Sequence, residues 1–256
     1  MATLQRPKIV KRLSWQDMSG PRIHLTRRIV QLQGNKVCAD ILEQARQICN
    51  DYIEAKLERD GIKNRGLSFA FVNSTEKPGE TTSLVSTRIQ EVGELLELSY
   101  PRLYKDISSH VNVRFTSENA VHEVFNDVSS EILSDGLNWA RIIALYTFAG
   151  ALVSECCRDG RNRYVLDIGS WMYEFAALYL VDWIKGKGGW DDLLRAFPYG
   201  IRTTSRYPLV LEVSRQWTSY LCAIVKTCFG TAFDFLSFSY KAYLRGMRNV
   251  SRKIST

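Results

Sequence analysis

The chain is 256 residues long, 45% hydrophobic and 24% charged, with a formal charge of +7. This is the composition of an ordinary globular protein, and the length suits one domain with tails better than two domains. The charge is unevenly placed: residues 1–36 hold eight Lys/Arg against Asp17 alone and residues 241–256 hold five with no acid, so residues 37–240 sum to −5.

Residues 1–36 read as a basic, disordered arm, either solvated or drawn to an anionic surface such as lipid. Lys8, Lys11 and Arg12 interrupt any early apolar run and argue against a signal peptide, while the arginine-rich, acid-poor composition also fits a transit segment. The domain is expected over 37–200. Its first helix is marked by Cys38, Ile41, Leu42, Ala45, Ile48, Cys49, Tyr52, Ile53 and Leu57, which recur at three- and four-residue steps until Gly61. Residues 60–82, with Gly66, Pro78 and Gly79, read as a loop. Helical spacing returns at Val85, Ile89, Val92, Leu95 and Leu96 and stops at Tyr100-Pro101, where the proline starts a short helix over 101–111. Another helix begins near Ser117, runs through Val121, Val124, Phe125, Val128 and Ile132, and closes at Asp135-Gly136.

Residues 138–157 include an uncharged run from Ile142 to Ser154, apolar around its whole circumference. Such a helix belongs at the centre of a bundle, and the run is too short to cross a bilayer by itself. A turn at 158–162 leads to a second long helix over 163–184. Gly188-Gly189 breaks it, and a short helix from Trp190 to Phe197 is stopped by Pro198. A last helix within 207–240 has the length of a tail anchor, but Lys226 and Asp234 lie inside it. Each charge costs about 2.5–3.5 kcal/mol near a bilayer centre, and at about 12 Å apart along the helix they cannot pair. A weak anchor and a helix folded back on the domain both remain open. Residues 241–256 form a basic tail. No stretch alternates as a strand does, so the chain reads as all-α.

Catalytic chemistry leaves no trace. His24, His110 and His122 stand near no plausible nucleophile constellation, and the six cysteines include no Cys-x-x-Cys pair and no metal spacing. Buried, reduced thiols in a cytosolic chain are expected, with no metal and no cofactor. Lys187 between Gly186 and Gly188-Gly189 lacks the spacing and the following hydroxyl of a phosphate loop. The basic ends lack interleaved aromatics, which argues against nucleic acid. The informative features concern helix pairing. Val85, Ile89, Val92 and Leu96 align on one face, Gly93 permits close backbone approach, and Glu94 and Glu97 add charge. That layout fits a groove-docking helix as well as ordinary core. Asn138 suits an N-cap, and Arg141 is the lone cation at the mouth of the apolar helix, able to hold a carboxylate by charge-assisted bonds.

Three segments in this order resemble signatures of the Bcl-2 family of apoptosis regulators. Val85 to Glu97 is similar to the family's third, death-promoting homology motif, with Glu94 where aspartate is usual. Asn138-Trp139-Ala140-Arg141 is similar to the segment opening the family's central helix, with Ala140 where glycine is usual. Trp183, Ile184, Gly188, Gly189 and Trp190 resemble the second homology motif. The resemblance implies a Bcl-2-like bundle of eight or nine helices around a central hydrophobic hairpin. It implies that Arg141 salt-bridges an acid of a motif helix, Glu94 or a partner's aspartate, and that the second motif shapes the end of a hydrophobic groove. Gly93 to Glu97 followed by Pro101, Leu103 and Tyr104 places the likeness in the Bok-like, death-promoting branch. That branch implies a non-enzymatic effector that leaves the cytoplasm for the mitochondrial outer membrane, with the ER membrane as a second candidate. There it exposes its motif helix, docks it in a neighbour's groove, oligomerises and permeabilises the membrane. Implied partners are Bcl-2 family proteins and their death-motif helices, the membrane and further copies of the chain. The alternative is a pro-survival member that sequesters partners' motif helices and forms no pore.

Overall fold

A computed structural model describes residues 22–62, 79–99, 101–105, 107–110, 113–134 and 136–198. Most of the 60–82 loop and the expected elements over 207–256, with Lys226 and Asp234, lie outside these residues. Among the described residues there are helices and turns but no strand.

The basic arm does not extend to residue 36. Helix α1, Arg22–Gln33, occupies its second half. Leu25, Ile29 and Leu32 fall on one side of it, and Leu32 is buried. Arg28 fixes the helix further, its Nε donating to the Ala177 carbonyl at 3.4 Å and its guanidinium reaching Asp182 at 2.5 Å. A thin apolar stripe backed by one distant ion pair was enough to order a segment whose composition reads as a solvated tail.

Helix α2, Lys36–Arg59, starts where the Asn35 side chain accepts the Cys38 N–H, and it buries the whole predicted stripe from Cys38 to Leu57. Helix α3, Glu80–Ser99, begins within the expected loop. The single helix expected over 101–111 is instead two turns, α4, Pro101–Tyr104, and α5, Ile107–His110. Glu155, far along the chain, divides them. Its carboxylate accepts the backbone N–H groups of Ile107 at 2.6 Å and Ser108 at 3.0 Å, together with the Ser108 hydroxyl, and so begins a new helix there. Helix α6, Glu118–Ile132, is capped by Ser117.

Helix α7, Trp139–Arg158, is capped by Asn138 and buried along nearly its full length, with α2, α3, α4, α5, α6 and the next helix packed around it. That helix, α8, Tyr164–Phe175, continues through a π turn at Ala176–Leu180 into α9, Val181–Gly186. Burial is unequal between these two arms. Helix α7 is covered on every side, whereas the α8 arm leaves Leu166 and Leu178 exposed. The π turn has no signature in the sequence, and its Ala177 carbonyl is the one that Arg28 takes up. Gly188 and Gly189, with φ of +90° and +107°, make the turn into α10, Asp191–Ala196.

Candidate functional site

The motif helix α3 turns Val85, Ile89, Val92 and Leu96 into the core against α2 and α7. Gly93 belongs to this inner face, and its backbone lies against Tyr52 of α2. A Cβ there would collide with the Tyr52 hydroxyl and stand 2.8 Å from the Thr147 Oγ1 of α7. Gly150 of α7 receives the other side of the same ring, where a Cβ would stand 2.7 Å from Tyr52 Cε1. Two glycines on different helices thus make the slot that one tyrosine fills. Gly93, marked in the sequence for close backbone approach, was the hint of that slot, and Gly150, a glycine inside an uncharged helix, is its counterpart.

Below the ring lies a cluster of charges. The Tyr52 hydroxyl donates to Glu97 at 3.0 Å, and Lys56 Nζ contacts Glu97 at 2.5 Å and Asp60 at 3.2 Å. Arg59 approaches Glu97 at 3.5 Å. Asp60 accepts in turn from the Ser154 hydroxyl and from Arg158 at 2.7 Å. Burial alone would raise the Asp60 carboxyl, but the Ser154 bond and Lys56, followed by Arg158, outweigh it and hold the group below the usual carboxylate range. Burial, then the Glu97 charge, pushes the Tyr52 phenol far up, so it remains a neutral donor. The partners of Glu97, Tyr52, Lys56 and Arg59, stand 45, 41 and 38 residues earlier in the chain. Sequence spacing gave no sign of this cluster.

Arg141 is 6% exposed, and its guanidinium donates to the Gly136 carbonyl. Among the described residues no ion pair joins it to Glu94, one of the two acids expected for it, the other being an acid of a partner's motif helix. The reason is helical phase. Gly93 and Glu97 are four residues apart and share the inner face, whereas Glu94, about 100° further round, is exposed. The acid that α3 turns inward is Glu97.

Around Arg141 the other signature residues form the end of the bundle. Trp139 donates to Asp192 at 2.8 Å and packs against Trp183 and Trp190 at ring separations of 5.0 and 5.6 Å. Trp190 donates to the Ile41 carbonyl at 3.1 Å, Ile184 is fully buried, and Lys187 lies 5.3 Å over the Trp183 ring. Ala140 is half-buried beside them. A further contact not foreseen from the sequence is made by Arg88 of α3. Its guanidinium donates to the carbonyls of Phe197 at 2.8 Å and Pro198 at 2.7 Å, and pairs with Glu91 at 2.6 Å.

Among the described residues no group of His, Cys, Asp or Glu is arranged to hold a metal. Burial pushes the thiols of Cys49 and Cys156 up to about 12 and that of Cys157 up to about 11, which keeps them protonated and weakly nucleophilic. The arrangement is an amphipathic helix packed on an apolar central helix, with an arginine at its mouth.

Residues 89–190 match the profile of apoptosis regulator proteins of the Bcl-2 family. The chain is 31% identical over 167 residues to Bcl-2-related ovarian killer protein homolog A of Danio rerio, covering 61% of this chain and 72% of that protein. It is 30% identical over 156 residues to the Bcl-2-related ovarian killer protein of Gallus gallus, covering 61% and 71%. The crystal structure of chicken BOK superposes with a TM-score of 0.54 at 28% identity, covering 62% of this chain and 96% of that one. The crystal structure of Trichoplax adhaerens trBcl-2L2 bound to trBak BH3 gives a TM-score of 0.52 at 25% identity, covering 61% and 99%. The chain belongs to the Bcl-2 family of apoptosis regulators, which are not enzymes. Within that family its likeness runs to the Bok proteins.

Proposed function

We propose that this chain is a death-promoting effector of the Bok type, which permeabilises the mitochondrial outer membrane by releasing α3, docking it in a neighbour's groove and oligomerising. The observation that carries this reading is the pairing of α3 with α7. The death-motif helix is packed by its apolar anchors onto a helix of 20 residues, about 30 Å long, that is apolar enough to cross a membrane and 94% buried. Departure of α3 would uncover that helix. Arg141 would then exchange the Gly136 carbonyl for an acid of an incoming motif helix, a stronger, charge-assisted partner.

Partners on this reading are Bcl-2 family proteins and their death-motif helices, further copies of the chain, and the membrane. The likeness to trBcl-2L2, solved with a trBak BH3 bound, supports a groove of this use. The protein would reside in the cytoplasm and move to the mitochondrial outer membrane or, as a second candidate, the ER membrane.

The test adds the full-length chain to dye-loaded liposomes of mitochondrial lipid composition, with Arg141→Ala alongside. Dye release by the wild type, reduced about tenfold or more in the variant through loss of a charge-assisted pair, is expected. Tight binding of a death-motif peptide with liposomes left intact would instead make the chain a pro-survival member.

A further inference from the structure

We propose that Glu97 is the latch of the motif helix, holding α3 in the bundle through Lys56 and Tyr52 of α2, so that loss of this one carboxylate's charge frees α3 ahead of the rest of the fold. For its consequence at a membrane, this inference rests on the effector reading above; the latch itself does not.

Three features single out Glu97. It is the acid on the inner face of α3, and its three partners all come from α2, with Lys56 at 2.5 Å, the Tyr52 hydroxyl at 3.0 Å and the more exposed Arg59 at 3.5 Å. The first two are tied onward to α7: Tyr52 lies against Gly150, and Lys56 contacts Asp60, which holds Ser154 and Arg158. The cluster is also largely removed from water, with side-chain exposures of 9% for Lys56, 14% for Glu97 and 15% for Asp60. In such surroundings an ion pair is screened little, and a partner left alone bears its full desolvation.

The connections are asymmetric. If Glu97 loses its charge, Lys56 keeps Asp60, and Asp60 keeps Ser154 and Arg158. Helices α2 and α7 therefore remain tied to each other, and the contact that fails is the one to α3. At Gly93 itself α3 contributes backbone and no side chain, so Tyr52 and Thr147 lie directly against it and the polar contact one turn on, at Glu97, is the side-chain tie of α3 to this cluster. Local opening of one helix is then favoured over global unfolding.

Backbone hydrogen exchange on the full-length chain tests this. Glu97→Gln keeps the size of the side chain and removes its charge. Amides over residues 80–99 are expected to exchange about tenfold faster while those over 139–158 keep the wild-type rate. Tyr52→Phe, which deletes only the hydroxyl, gives a smaller change in the same residues. Glu155→Gln, which uncaps α5 without touching α3, leaves residues 80–99 at the wild-type rate. Unchanged exchange over 80–99 in Glu97→Gln, or an equal rise over 36–59, 80–99 and 139–158, overturns the latch. Dye release from liposomes is read in parallel: selective opening with faster release supports latch and effector together, whereas selective opening with no release from either protein keeps the latch and rejects the effector.

Discussion

The guanidinium of Arg88 closes on the Phe197 carbonyl at 2.8 Å, so the motif helix caps the last described turn of the domain. Two of the carbonyls that follow α10 are satisfied by this one side chain, which is itself buried. Replacing it strands the carbonyl of buried Phe197, while that of exposed Pro198 can turn to water, and Arg88→Ala should destabilise the domain by about 1–3 kcal/mol in urea denaturation. Arg88→Lys should recover less than half of that loss, because an ammonium cannot span both carbonyls as the planar fork does. A lysine variant as stable as wild type would mean that charge, not geometry, matters there.

The slot around Tyr52 predicts a pattern of coupling. Gly93→Ala and Gly150→Ala each press a methyl into the ring and should cost about 1–3 kcal/mol. Tyr52 is the nearest obstacle at both sites, with Thr147 Oγ1 a second one at Gly93, so Tyr52→Ala combined with Gly93→Ala should destabilise by less than the two single changes added together. Additive behaviour in a double-mutant cycle would show that the ring moves aside freely.

Asp127 on α6 gives a prediction in pH. Asp127 is exposed, yet desolvation by the protein around it, followed by the charge of Glu123 one turn earlier, raises its carboxyl to about 6. The folded value lies above the unfolded one, so the folded state takes up the proton more readily. The group's contribution is present below about pH 4 and is lost as pH rises through about 6. Thermal midpoints of wild type and Asp127→Asn, measured from pH 4 to pH 7, should therefore diverge, with the variant gaining relative stability as pH increases. Parallel curves would sink the assignment.

Arg28 is expected to matter locally and little else. Its ion pair with Asp182 is largely open to water on the aspartate side, with 71% of that side chain exposed. Screening limits such a pair to less than about 1 kcal/mol of stability. Arg28→Ala should therefore speed amide exchange over residues 22–33 while the thermal midpoint shifts by only about 1–3 °C. A large drop in the midpoint would make α1 part of the core.

Much of this architecture was legible in the chain, for identifiable reasons. The uncharged run from Ile142 to Ser154 has no face that tolerates water, so its place at the centre followed from composition alone. Asn138 and Ser117 announced their caps, and Gly188-Gly189 announced a turn with positive φ, because each acts on its own backbone neighbours. What escaped depends on partners far along the chain. Glu155 divides a helix some fifty residues before it, Arg28 orders α1 by reaching Ala177 and Asp182, and Lys56 finds Glu97 across a loop. Within the chain Arg141 and Glu94 do not meet, for a different reason. The residue types were suitable, but the phase of α3 was fixed by the slot at Gly93, and that phase turned Glu97 inward and Glu94 outward.

Helix α3 also bears Leu84, Leu95 and Leu98 outside the core, the last of them 71% exposed. A detached α3 would therefore offer water the stripe of Val85, Ile89, Val92 and Leu96 widened by Leu84 and Leu95, with a polar arc of Ser83, Ser86, Gln90 and Glu94 opposite it. Such a helix does not linger in solution. It returns to its own bundle, meets another apolar surface or aggregates, so the density of acceptors around the protein would govern which fate follows each opening.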